Sequence, residues 1–198
     1  MFIRRFDGAN GSSWQIYRAL SGGPGTRLFC EAMTLPVQSP TQIAWVTADL
    51  DATETALTGL LGARKWVRIP DVHFAPDACS YHGRPADFFA SISLSYLGDM
   101  QLELIQPVRG ENIYSDFLSE CGPGLHHICM EVESPERLEA AVTEAAERGA
   151  VVVQRGAMPG GIQFAYLSAP QAAVPYVELA YVSPEMRAFY DYIKKEQR

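Results

Sequence analysis

The chain has 198 residues, 47% of them hydrophobic, and a formal net charge of -7. That length can bury a sizeable core, as one large domain or as two small units sharing a sheet, and the composition excludes a disordered chain. The negative charge argues against nucleic acid as a partner, because phosphate binding is driven by Lys and Arg.

No stretch approaches the roughly 20 apolar residues of a membrane span. Arg4 and Arg5 near the start are not followed by the apolar segment of a secretory signal. Cys30, Cys79, Cys121 and Cys129 fall at irregular intervals without a CxxC pair. Reduced thiols in a cytoplasm are therefore expected, not a zinc ribbon or a disulfide framework.

Residues 1–39 are rich in Gly and Ser, broken by the apolar patch around Leu28 and the run Ala32 to Leu35, and end at Pro36 and Pro40. They read as an irregular leader with one strand, serving as a lid or as part of a subunit contact in a homodimer. From Thr41 the pattern sharpens. Gln42 to Val46 is a compact strand, and Asp51-Ala-Thr-Glu54 is a capping-box start to a helix ending at Gly62. Lys65 to Ile69 is a second strand, followed by a loop holding Pro70, Pro76 and Pro85. Phe88 to Tyr96 and Gln101 to Ile105 form a hairpin about Leu97-Gly-Asp99, stopped by Pro107. The first βαβββ unit spans residues 40–110.

The pattern then repeats over 111–182. A short helix, Ser115 to Glu120, is closed by Gly122, and His127 to Val132 is a strand. Ser134-Pro135 caps a helix with Leu138, Ala141, Val142 and Ala145 on one face. Val151 to Gln154, Ile162 to Leu167 and Tyr176 to Ala180 are three further strands. Gln42 precedes Gly62 by 20 residues and His127 precedes Gly149 by 22, so the same unit is used twice. The fold class is α+β, with tandem βαβββ modules, and residues 183–198 form a capped amphipathic C-terminal helix.

Each repeat offers two metal-capable side chains at equivalent places: Gln42 or His127 opening its first strand, and Glu103 or Glu178 inside a late strand. Taken singly, Gln42 reads as an edge-strand amide, His127 as a core histidine, and the glutamates as solvent-facing. The apolar neighbours Leu102, Leu104, Val177 and Leu179 weigh against that reading for the glutamates, since a lone buried carboxylate is costly unless paired or bound to a cation. One imidazole and three oxygen donors make a hard site suited to one divalent metal such as Zn, Ni, Co, Mn or Mg.

Gln42 to Asp51, Leu102 to Pro107, Gly124-Leu-His-His-Ile128 and Val177-Glu-Leu179 resemble the glyoxalase, bleomycin-resistance and dioxygenase (vicinal oxygen chelate) superfamily over Thr41 to about Val182. Gly124 to Ile128 after Glu103 to Pro107 is similar to methylmalonyl-CoA epimerases. The resemblance implies a concave mixed sheet and a metal on His127 and Glu178. The expectation drawn here is a metal-dependent isomerase or lyase moving a proton on a chelated carbonyl or enolate, with Glu178 as base and Glu103 as alternate. The chain departs from the epimerases at Gln42, where they carry histidine, and in Phe88 to Tyr96, which holds no carboxylate where they place a base. The set Gln42, Glu103, His127, Glu178 is instead similar to that of animal glyoxalase I, although no cationic motif for glutathione is evident. The alternative is a non-catalytic binding or resistance protein, and a dioxygenase ranks below it because the His, His, Glu triad is missing.

Trp45, Trp66, Phe88, Tyr96, Phe164 and Tyr166 are available to line a pocket, which favours a hydrophobic or aromatic small-molecule substrate. His73 and His82 read as solvated loop histidines that would otherwise gate the pocket. Strand alternation sends His126 to the face opposite His127 and puts Cys129 on the face of His127. Gly156 to Gly161 leads into a strand, not a helix, and so is not a phosphate loop.

Overall fold

The computed structural model describes residues 2–8, 11–17, 39–168 and 173–197. The chain divides into a small unit, Met1–Met33, and a large one, Thr34–Arg198. In the small unit β1 (Phe2–Gly8) and β2 (Gly11–Tyr17) form an antiparallel hairpin, with Gly8 opposite Gly11. The leader is therefore not irregular throughout: Phe2–Gly8 and Gly11–Tyr17 are ladder-forming runs. The expected strand near Leu28 lies outside the described residues.

The large unit runs β3 (Gln42–Val46), α1 (Leu50–Leu61), β4 (Val67–Phe74), β5 (Cys79–Tyr81), β6 (Arg84–Pro85), β7 (Phe88–Leu97), β8 (Met100–Arg109), α2 (Ile113–Cys121), β9 (Gly124–Val132), α3 (Pro135–Glu147), β10 (Val151–Met158), β11 (Ile162–Ser168), β12 (Tyr176–Val182) and α4 (Pro184–Lys195). Ten strands form one curled mixed sheet in the order β4-β7-β8-β3-β9-β12-β11-β10-β5-β6. The tandem βαβββ pattern is plain in this order. β3 lies parallel to β8, β9 lies parallel to β12, and the modules meet where β3 pairs antiparallel with β9.

Local chemistry sets most boundaries. Asp49, not Asp51, caps α1, because its side chain accepts from Ala52 N at 3.0 Å. Asp51 and Glu54 are instead drawn to Arg68 on β4, and Glu54 also accepts from Ser93 at 2.6 Å. Asn112 caps α2 two residues ahead of the expected start, forming a reciprocal capping box with Ser115. Ser134 and Ser183 cap α3 and α4, each followed by Pro at the first helical turn. Leu138, Ala141, Val142 and Ala145 are all buried, as the helical period requires, under the convex face against Ala165, Leu167 and Leu179.

Two stretches expected to be loop are sheet. β4 passes through Pro70, which an edge strand tolerates because no ladder bond is needed there, and bulges at Asp71 with φ 49. The chain then crosses to the far edge, where β5 pairs with β10 and β6 closes a hairpin about His82 and Gly83. A Cβ on Gly156 would collide with Cys79 Sγ, so this close approach depends on glycine.

Candidate metal centre

The β3–β9 seam fixes the centre of the site. Across four strands, one row reads Gln101, Gln42, Cys129, Glu178, and the next reads Glu103, Ala44, His127, Tyr176. Gln42, Glu103, His127 and Glu178 are all buried, so the pleat aims one donor from each of β3, β8, β9 and β12 into the concave face. The four residues singled out in the sequence are brought together there. His127 Nε2 lies 3.1 Å from Glu178 Oε2, 3.4 Å from Gln42 Oε1 and 3.5 Å from Glu103 Oε2.

Those separations suit an ion. Ligands about 2.0–2.2 Å from a first-row cation lie about 3.0 Å apart in octahedral and about 3.4 Å apart in tetrahedral geometry. As the side chains stand, no set of three or more His, Cys, Asp and Glu among the described residues forms a closed cluster, and one of the four donors here is an amide. The donor chemistry still fits a dication: two carboxylates, an amide and a neutral imidazole carry a charge of about -2.

The electrostatics follow from burial. It pushes the Glu103 carboxyl above its ordinary range, opposed by His127 and reinforced by Glu178. For His127 burial acts to lower the pKa, but the Glu103 and Glu178 carboxylates outweigh it and raise the value to about 9. Among the described residues, those lining the cavity include no Lys or Arg.

Two side chains hold the donors in place. Gln42 Nε2 donates to Gln101 Oε1 at 2.6 Å, which turns Gln42 Oε1 toward His127, and Gln101 Nε2 donates to Tyr96 at 2.9 Å. The second is His126, whose Nδ1 is 2.9 Å from His127 Nδ1. Alternation predicted the opposite face, and a bulge overturns it. Ala44 pairs with His127 while Trp45 pairs with Leu125, so His126 is the extra residue and swings beside its neighbour.

His126 is fully buried among Tyr114, Phe117, Tyr166 and Tyr176, with ring centroids 4.8–5.9 Å away. Burial, then the proximity of His127, holds it well below the ordinary imidazole range. A neutral His126 accepting at Nδ1 from His127 Nδ1–H turns His127 Nε2 toward the three oxygens, where it donates while protonated and offers its lone pair once that proton leaves. Among the described residues the Nε2 of His126 has no hydrogen-bond partner. The Ile113 backbone is close enough to favour the charged form but falls outside hydrogen-bond geometry, and the aromatic rings are what surround it.

In front of the donors is a partly enclosed cavity of about 40 Å³. Phe164 and Tyr166 line it as expected, but among the described residues Trp45, Trp66, Phe88 and Tyr96 do not. Phe74, Tyr114 and Tyr190, passed over in the sequence, do line it. Tyr114 and Tyr166 share a hydrogen bond at 2.8 Å. Cys129 is buried on the same wall as its ladder neighbour Glu178, and burial pushes its thiol up. His73 and His82 are off the cavity. His73 belongs to β4, stacked on Phe89 at 4.2 Å and paired with Asp87 at 2.7 Å, and His82 sits at the β5–β6 turn. Cys79, Cys121 and Cys129 are free thiols.

The model of the Glyoxalase/Bleomycin resistance protein/Dioxygenase superfamily matches residues 41–166, more than half of the chain. The chain belongs to this superfamily. Solved structures with the same fold include methylmalonyl-CoA epimerase from Mycobacterium tuberculosis, at 17% identity and a TM-score of 0.53, covering 77% of this chain and 93% of that one. A variant of the Streptomyces coelicolor methylmalonyl-CoA epimerase, in complex with 2-nitronate-propionyl-CoA, aligns at 16% identity and a TM-score of 0.55, covering 75% and 97%. A hypothetical protein from Bacillus halodurans aligns at 20% and 0.51, covering 73% and 94%. A search of curated protein sequences returned no match. No helix among the described residues is long and apolar enough to cross a membrane.

Proposed function

We propose that the chain is a metal-dependent isomerase or lyase that holds one divalent ion, Zn, Ni, Co, Mn or Mg, on Gln42, Glu103, His127 and Glu178. The observation that carries this reading is the meeting of three oxygens from three strands within 3.1–3.5 Å of His127 Nε2. When bound, such an ion supplies Lewis acidity toward a substrate chelated through two adjacent oxygens.

The rest falls to side chains. Glu178 is the base, because its carboxylate lines the cavity and can reach a proton next to the chelated oxygens. Glu103, raised by burial, is the alternate proton carrier. His126 and Gln101 orient His127 and Gln42. The aromatic walls favour an apolar substituent beside the oxygens. β7 adds no carboxylate to this face, which separates the reading from the base arrangement that the epimerase resemblance implies.

Metal analysis of protein purified without chelator tests the proposal, with close to one divalent ion per chain expected. An apo protein that takes up no Zn, Ni, Co or Mn on titration refutes it. A non-catalytic binding protein of the same fold is the second reading, favoured by the observation that among the described residues no three His, Cys, Asp or Glu side chains stand as a closed metal cluster.

A further inference from the structure

The C-terminal helix does more than end the chain. Phe189, Tyr190 and Ile193 fall on one face of α4 and pack into the core cluster that lines the inside of the curled sheet; Ile193 is fully buried. The helix is fastened along its length. Arg187 pairs with Glu131 on β9, Lys194 with Asp99 in the β7–β8 turn, and Glu196 with Lys65 at 2.9 Å. Gln197 then accepts from Lys65 N at 3.1 Å and donates to Lys65 O at 2.9 Å.

Held in this way, Tyr190 forms a wall of the same cavity as Gln42, Glu103 and Glu178. The open volume is about 40 Å³. That is far below the roughly 300–1,000 Å³ of pockets that take drug-sized ligands.

Resting on the metal reading above, we infer that Tyr190 is the specificity-determining residue of the site. It limits the chelating end of the substrate to a few heavy atoms with two adjacent oxygens and a short aliphatic neighbour, as in a small 2-oxo or 2-hydroxy acid. The hydrophobic or ring-bearing substrate expected from the aromatic content is narrowed accordingly, because the ring in this pocket belongs to the protein. A bulky group beside the oxygens would have to stand where Tyr190 stands.

The test uses the full chain loaded with Co2+, whose visible spectrum shifts when a ligand joins its coordination sphere, and two probes with the same chelating group, acetohydroxamate and benzohydroxamate. The wild type is expected to bind acetohydroxamate and to bind benzohydroxamate roughly tenfold or more weakly, the scale on which a pocket rejects excess bulk. Tyr190→Ala, or Tyr190→Leu if the alanine variant does not fold, is expected to remove that gap, and Tyr190→Phe to keep it.

Equal binding of both probes by the wild type, binding of neither, or a gap that survives Tyr190→Ala each overturns the proposal. If the protein takes up no Co2+, the metal reading fails, and alkylation of the apo chain decides the role of Tyr190 on its own. Cys129 lines the cavity, whereas Cys79, buried on β5 beside β10 in the same core cluster, is not among the lining residues. Tyr190→Ala should then speed reaction of Cys129 with N-phenylmaleimide roughly tenfold while leaving Cys79 unchanged. Unchanged reaction at Cys129, or equal acceleration at both cysteines, overturns the proposal.

Discussion

Replacing His126 separates two roles that share one ring. It is fully buried, so His126→Ala removes a packed imidazole from among four aromatic side chains, at a cost of about 2–4 kcal/mol of stability. It also removes the acceptor 2.9 Å from His127 Nδ1, which leaves a buried N–H unpaired at a further cost of about 1–3 kcal/mol. Loss of such a partner behind a ligating imidazole weakens metal binding about 10–100-fold. That is about 1.4–2.8 kcal/mol at 1.4 kcal/mol per decade.

His126→Asn is the informative comparison, because its Oδ1 occupies nearly the position of the lost Nδ1 and can still accept. Both variants should melt lower than the wild type, while His126→Asn should recover most of the metal affinity that His126→Ala loses. The assay is competition for Zn2+ against a chromophoric chelator, with melting followed in parallel. A folded His126→Ala that binds Zn2+ as tightly as the wild type refutes the argument, as does a His126→Asn that binds no better than the alanine variant.

The His127 imidazole, raised from 6.5 to about 9, binds a proton more tightly folded than unfolded. It contributes stability that is full below pH 6.5 and lost as pH rises through about 9, so the melting temperature of the apo protein should fall across that window. The metal-loaded form, with no proton on Nε2, should lack this slope, and calorimetry at several pH values checks both. Metal affinity should rise with pH over the same window, by about a decade per unit, as the competing proton leaves. Glu178→Gln keeps an oxygen donor but loses the base; once a substrate is in hand, turnover should drop about 10²–10⁴-fold while metal content falls far less. Gln101→Leu frees the Gln42 amide to turn and should weaken metal binding about tenfold with only a small change in melting temperature. If the chain is a homodimer held through residues 1–39, deleting them should leave a monomer by light scattering, and a truncated chain that is still a dimer would disprove that role for the leader.

The repeat was legible because it is written in apolar periodicity. Leu138, Ala141, Val142 and Ala145 mark the buried stripe of α3, and the donors Gln42, Glu103, His127 and Glu178 recur at matching places in two modules. What escaped the sequence was whatever depends on distant partners. Asp51 and Glu54 have the spacing of a cap, yet Arg68, brought alongside by the sheet, claims them and leaves Asp49 to cap α1. Strict alternation put His126 on the wrong face because a bulge adds one residue without any mark in composition. Pro70 suggested a loop, because nothing local says that β4 is an edge strand. The amphipathic pattern of α4 was visible, but not that its apolar face turns into the cavity and brings Tyr190 with it.

A sheet built from two copies of one module has a weak point in its own symmetry. The β3–β9 seam is where two molecules could trade halves, each lending a module to the other, and exchange of identical elements is a low-cost route to intertwined dimers. The pairing of β5 with β10 raises the barrier to that route. Cys79 to Tyr81 leave the first module and join the far edge of the second, so a traded half would first have to break hydrogen bonds both at the central seam and near one edge of the sheet. The residues joined there are more than 70 apart in sequence, so the link forms only after a long loop has closed. Once formed, it ties each half to the other, and the two modules are expected to unfold together in one cooperative transition.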